Sequence, residues 1–256
     1  MGLVRSAVLT NYLKVARQLN VDAEAQMRRV GLRPQLINLP DALISADAVA
    51  SLLEETARVS QCESVGLRMS QPRGISGFGV VGLLLSQQRT LRDAWNIIFR
   101  YMPLINESVA IRIEESSDSA LLVEEVLTGS SQPKRQAVEL ALASNLNLFR
   151  TFLGVEWAPR VAYFRHSAPR VLDDHIRIFR SRCIFDADIT GFSFPGTDLD
   201  APNQAADPAL GSYAAHLIES LPTAVTDSAT ARTRKLIYLL MRISGQTSRR
   251  WLAHWA

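Results

Sequence analysis

The chain has two cysteines, Cys62 and Cys183, and no C-x-x-C pair. That excludes a disulfide framework and a zinc knuckle, and it points to a reducing, cytoplasmic setting. Its four histidines leave little material for a histidine-dependent mechanism. No apolar run approaches the roughly 18 residues of a membrane-spanning helix, because Arg5, Lys14 and Arg17 interrupt the N-terminal stretch. Acidic residues stop at Asp227, after which come Arg232, Arg234, Lys235, Arg242, Arg249 and Arg250. The net charge of +3 therefore combines a mildly acidic body with a basic tail, a distribution that hints at a nucleic-acid-facing unit. Also absent are a G-x-S-x-G elbow, a Walker lysine loop and an H-E-x-x-H pair, so neither a cofactor nor a metal is expected.

What is present is a chain long enough to bury a sizeable core without staples. Val8, Leu9, Tyr12, Leu13, Ala16 and Leu19 form the stripe of a helix over 7–19, and Asp22 caps a second helix that Gly31 ends. Ser45 caps a third, and a short fourth follows near 63–69. Thr90 then caps a helix over 91–102 that Pro103 closes. The period changes at VAIRIEE (109–115) and SALLVEEVL (119–127), two strands joined by a turn at 116–118. A long helix runs from Pro133 to Leu153. Three short extended runs follow, RVAYF, CIFDA and GFSFP, and Asp207 caps a helix over 207–221. This order predicts an α+β fold: a helical N-terminal part packed with a small, mainly antiparallel sheet of about five strands, plus a C-terminal helical stub.

GFGVVG (77–82) matches the dinucleotide-binding fingerprint by letter. That chemistry needs a strand before the glycines and an acidic residue about 20 positions later. A Pro-Gly loop precedes the motif, and 99–105 holds no acid. The expected role is steric, with glycines allowing close approach to another backbone. FRHSAPRVLDDH (164–175) gathers His166, Asp173, Asp174 and His175. Pro169 separates His166 from the rest, and Asp173 and Asp174 read as the acidic first turn of a helix.

An ordered set of segments resembles the N-terminal effector domain of AraC/XylS-type transcriptional regulators, in the subgroup with ornithine-responsive and virulence regulators. The set comprises GL (66–67), the glycine segment 74–85 with TLRDAW, RYMPLIN, PRVAYFRHSAP (159–169), CIFDADITGFSF, LDAP (199–202) and ADPAL (206–210). ARTRKLIYLLMRISGQTS resembles the opening of the family's helix-turn-helix domain, and the match fades at RRWLAHWA. The resemblance implies an effector-binding and dimerisation domain at 1–222, a linker at 223–230 and a truncated beginning of the DNA-binding domain at 231–256.

The expected partners are a small-molecule effector and a second copy, with DNA only through the missing C-terminal domain and no membrane. Catalytic residues are not expected. The candidate ligand site is the seam between the glycine segment, helix 91–102 and the hairpin, with Phe78, Trp95, Phe99, Arg100, Tyr101 and Arg112. A buried arginine there without a carboxylate partner would imply an anionic effector. Two other readings stay open: a small-molecule enzyme using His166, Asp173 and His175, and a truncated partner that inhibits full-length relatives.

Overall fold

The computed structural model describes residues 2–71, 75–129 and 133–220. The expected basic stub at 231–256 lies outside them.

The N-terminal third is helical, as its periodicity predicts, with one addition. Strand β1 (Leu3–Arg5) pairs antiparallel with β2 (Leu43–Ser45), making a ribbon that closes the helices into one layer. Three residues per strand are too few to show a period in the sequence. The helix expected over 7–19 is divided: a 3-10 turn at Ser6–Leu9 is separated from α1 (Tyr12–Gln18) by Asn11 at φ 72°. In α2 (Ala23–Arg29) the Asp22 carboxylate accepts from the Ala25 N–H, and in α3 (Ala46–Ser60) the Ser45 hydroxyl accepts from the Ala48 N–H. Both bonds satisfy donors that a helix start leaves orphaned. The short α4 (Val65–Ser70) completes the layer.

A 3-10 turn at Ile75–Phe78 leads into α5 (Val80–Ser86), and α6 (Leu91–Ile105) follows with Thr90 as its cap. Pro103 does not end α6. The helix kinks at Tyr101 (φ −107°, ψ 15°) and runs on to Ile105, because a proline removes one helical hydrogen bond and tolerates a bend. Strands β3 (Val109–Glu115) and β4 (Ser119–Val126) form the expected hairpin, with Ile111 opposite Glu124. The next helix, α7 (Arg135–Leu153), starts two residues beyond Pro133, with Lys134 as its cap residue. The remaining described elements are β5 (Val161–Tyr163), α8 (Asp173–Phe179), β6 (Arg182–Ile184), β7 (Gly191–Pro195) and α9 (Pro208–Ser220).

The sheet order is β3-β4-β7-β5-β6, antiparallel except for the β5–β6 pair, which α8 connects. The fold is α+β with five strands in its main sheet, as the order of elements predicts.

Two buried clusters follow from this layering. One joins β1 and the first four helices; the other joins α5, α6 and the sheet, centred on Phe149, Phe192 and Phe194. Helix α7 belongs to both: Leu140 sits in the first, while Leu142, Leu146 and Phe149 sit in the second. A helix apolar on more than one face must be buried between layers, and α7 is therefore the partition of the molecule. Among the described residues no helix is long and apolar enough to cross a membrane.

Candidate functional site

The two clusters do not close completely. At their junction lies a cavity of about 140 Å³. Its walls come from β1 and the following turn, the start of α3, the glycine turn at Gly77 and Phe78, the C-terminal half of α6, the hairpin, and α7. Val49, Ile98, Ile111 and Leu148 supply much of the apolar lining. The space holds at least a single small ring, since an enclosed apolar cavity of about 150 Å³ admits benzene, and part of its boundary is open.

Helical spacing explains which side of α6 faces in. Ile98, Met102 and Ile105 line the cavity at i, i+4 and i+7, one stripe of the helix. The kink at Tyr101 carries the last of these toward the ribbon. There Val4 bridges to Asn106, and Leu3 and Glu107 exchange hydrogen bonds of 3.1 Å.

Five polar residues reach the cavity: Arg5, Asn106, Ser108, Ser144 and Asn145. Part of their capacity is used within the protein. The Asn106 side-chain oxygen Oδ1 accepts from the Ser108 N–H (2.8 Å) and hydroxyl (2.7 Å), and the Ser144 hydroxyl donates to the Leu140 backbone carbonyl (2.7 Å). The Asn145 amide donates to Glu124 at 2.6 Å. Glu124 is buried behind it, and that burial pushes its carboxyl up to about 8 against the lowering effect of the Asn145 bond.

Arg5 differs from the others. Its side chain is 12% exposed, while its ion-pair partner Asp41 is 83% exposed. The guanidinium donates from Nε to Asp41 (3.1 Å), from Nη2 to the same oxygen, and from Nη1 to the Gly77 carbonyl (3.2 Å).

The glycine motif now has a role. No strand leads into it; α4 and the 3-10 turn do. Gly79 takes φ 60° and ψ −138°, and a Cβ there would collide with the Arg5 guanidinium. A Cβ on Gly82 would collide with the carbonyl oxygen of Ile75. The expected close approach to backbone is thus present at Gly82, whereas Gly79 seats a side chain. Gly79→Ala is expected to cost about 1–3 kcal/mol of stability through backbone strain, measured as a lower urea midpoint with an unchanged m-value.

The seam anticipated from the sequence is where the cavity lies, but of the six residues named only Phe78 lines it. Trp95 is buried in the core, 6.2 Å from Phe149 and 5.6 Å from Phe99 by ring centroids. Phe99 is 43% exposed. Arg100 lies over the Tyr101 ring at 5.4 Å, and Arg112 pairs with Glu114 at 2.6 Å. Neither arginine is a buried cation lacking a carboxylate. Arg5 was not among the sequence candidates, because no local pattern links position 5 to a turn more than 70 residues later.

His166 and His175 do come together, on a third residue. Glu139 is fully buried on α7, and one of its oxygens meets Arg135 Nε (2.9 Å), His175 Nε2 (3.0 Å) and His166 Nε2 (3.4 Å). Burial holds the His166 imidazole below its ordinary range. Asp173 stays at the start of α8. Its neighbour Asp174 is pushed up by burial, but bonds from Ser64, Arg177 and Arg68 outweigh this and bring its carboxyl down to about 2. The Glu139 node ties α7 to α8 and does not border the cavity. Among the described residues, no cluster of His, Cys, Asp and Glu has metal-holding geometry.

Residues 21–203 match the model for the arabinose-binding domain of AraC transcription regulators, N-terminal. The chain is 25% identical over 236 residues to the HTH-type transcriptional regulator VirS of Mycobacterium tuberculosis strains CDC 1551 / Oshkosh and ATCC 25618 / H37Rv, covering 88% of this chain and 67% of the relative. Its fold resembles the crystal structure of the transcriptional regulator CdpR from Pseudomonas aeruginosa, with TM-score 0.55 and 18% identity. That match covers 87% of this chain and 64% of the other, so the chain spans less than two thirds of the solved regulator.

Proposed function

Because this chain belongs to the family of N-terminal arabinose-binding domains of AraC transcription regulators, we propose that residues 1–222 form a small-molecule sensor whose ligand site is the cavity between the two cores. The supporting observation is the cavity's position. It is bordered by β1, α6, the hairpin and α7, and α7 is packed into both cores. A ligand there contacts both layers at once. If it binds one arrangement of the layers more tightly than another, it shifts the population and biases whatever follows residue 222, with a coupling of typically about 1–3 kcal/mol. The reading is of a regulator, and the buried Glu139–histidine node is a structural tie within it. Residues 221–256, which include the expected linker (223–230) and basic segment (231–256), lie outside the described residues.

A second copy is the proposed protein partner. The face of α9 that exposes Leu210 (39%) and Tyr213 (65%) supports that reading, which light scattering on the eluting chain tests: a dimer mass is expected, and a monomer at micromolar concentration contradicts it.

The sensor reading is tested by a thermal-shift screen of metabolites on two proteins, the unaltered chain and Ala141→Phe. Ala141 borders the cavity, and a phenyl group there fills it. Compounds that raise the melting midpoint of the unaltered chain are expected to lose that effect in the variant, since only binding to the folded site adds stability. A compound whose effect survives the substitution binds elsewhere.

A further inference from the structure

We propose that the effector is a small organic anion, a carboxylate on a compact apolar body, held by Arg5. This rests on the sensor reading above and adds the ligand's chemistry. The polar groups of the cavity wall argue against a sugar. A polyol needs many polar partners, yet only five of the lining residues are polar, the hydroxyls of Ser108 and Ser144 donate to protein acceptors, and the rest of the wall is largely apolar. Leaving a hydroxyl unmatched against such a wall is costly.

Arg5 carries what is left. A guanidinium has five N–H donors, and the bonds to Asp41 and Gly77 use three of them. Asp41 lies out in solvent, where an ion pair contributes little. Arg5 borders the cavity, and a carboxylate fits a guanidinium fork with two parallel hydrogen bonds. Gly79 makes the seat possible, since any side chain at that position would displace the guanidinium. The apolar body then lies against Val49, Ile98, Ile111 and Leu148. The volume of about 140 Å³ accommodates a single ring.

The experiment uses four probes on the full chain: benzoate, its neutral isostere benzamide, benzene and arabinose. Each is titrated against the unaltered chain, Arg5→Lys, Arg5→Gln and Ala141→Phe, and the shift in melting midpoint is read against each variant's own baseline. Benzoate is expected to raise the midpoint saturably in the unaltered chain, with benzene and benzamide giving clearly smaller shifts and arabinose none. Arg5→Gln is expected to weaken benzoate at least about tenfold, the loss of a charged hydrogen-bonded pair. Arg5→Lys is expected to keep part of the effect, and Ala141→Phe to abolish it. Benzene or benzamide stabilising as well as benzoate, with loss in Ala141→Phe, overturns the anion assignment and leaves the cavity as a site. Benzoate binding that ignores both Arg5 substitutions also overturns it. Failure of all four probes overturns the cavity reading itself.

Discussion

Replacing Glu139 by leucine is expected to destabilise the chain by about 1–3 kcal/mol, the cost of leaving a buried hydrogen-bonding partner unsatisfied. Glu139 is fully buried, and one of its oxygens collects Arg135, His166 and His175. Without it, His175, itself fully buried, loses its hydrogen bond inside the protein. Arg135 keeps the Glu63 carbonyl and carboxylate as alternative partners, which places the expected loss toward the lower end of that range. Glu139→Gln keeps an acceptor for one donor and is expected to cost less. Equilibrium urea unfolding at constant pH measures both. A leucine variant within 1 kcal/mol of the unaltered chain would show that the node contributes nothing net to stability, as some buried ion pairs do not.

Glu124 is expected to make the fold lose stability as the pH rises. Its carboxyl, ordinarily near 4.5, is raised by burial to about 8, so the folded chain holds a proton that the unfolded chain releases. The contribution is fully present below pH 4.5, declines as pH rises toward 8, and is absent above it; the shift corresponds to up to about 5 kcal/mol. Glu54 is also raised by burial, opposed by the bond from the Gln136 N–H, and acts with the same sign. Burial lowers His166, which acts the other way: its penalty for the fold appears as pH falls through its ordinary range. Because these overlap, the measurement is a difference between the unaltered chain and Glu124→Gln at pH 5, 7 and 9. The amide still accepts from Asn145 and has no charge to bury. The variant is expected to match the unaltered chain at pH 5 and to exceed its stability at pH 9. Parallel curves would mean that Glu124 is ionised in the fold throughout.

Much of the fold was legible because its signals are local. The caps at Asp22, Ser45, Thr90 and Asp207 and the alternation of the hairpin each reside within a few residues. The ribbon of β1 and β2 was not legible, since its hydrogen bonds join residues about 40 apart and each strand is only three long. Pro103 misled for a physical reason: a proline removes one hydrogen bond, and packing on both sides of the kink restores the helix.

The cavity lies at the seam expected from the sequence, but the residues that line it are mostly others. The glycine turn and α6 mark the seam in the sequence, but the aromatics Trp95, Phe99 and Tyr101 lie off the cavity, and the stripe facing it is Ile98, Met102 and Ile105. Both stripes lie on the same helix, and the sequence does not say which faces a core and which a void. Arg5 and Asn145 enter from distant segments, and only the fold brings them together.

The most direct measurement of whether this junction is a ligand site is methyl NMR of the chain titrated with benzene, the apolar probe matched to the cavity volume. Resonances of Ile98, Ile105, Ile111 and Leu148 are expected to move together with a single dissociation constant, while Leu36 and Leu52 in the N-terminal core stay in place. Unmoved lining methyls, or shifts centred on another surface, would contradict the assignment.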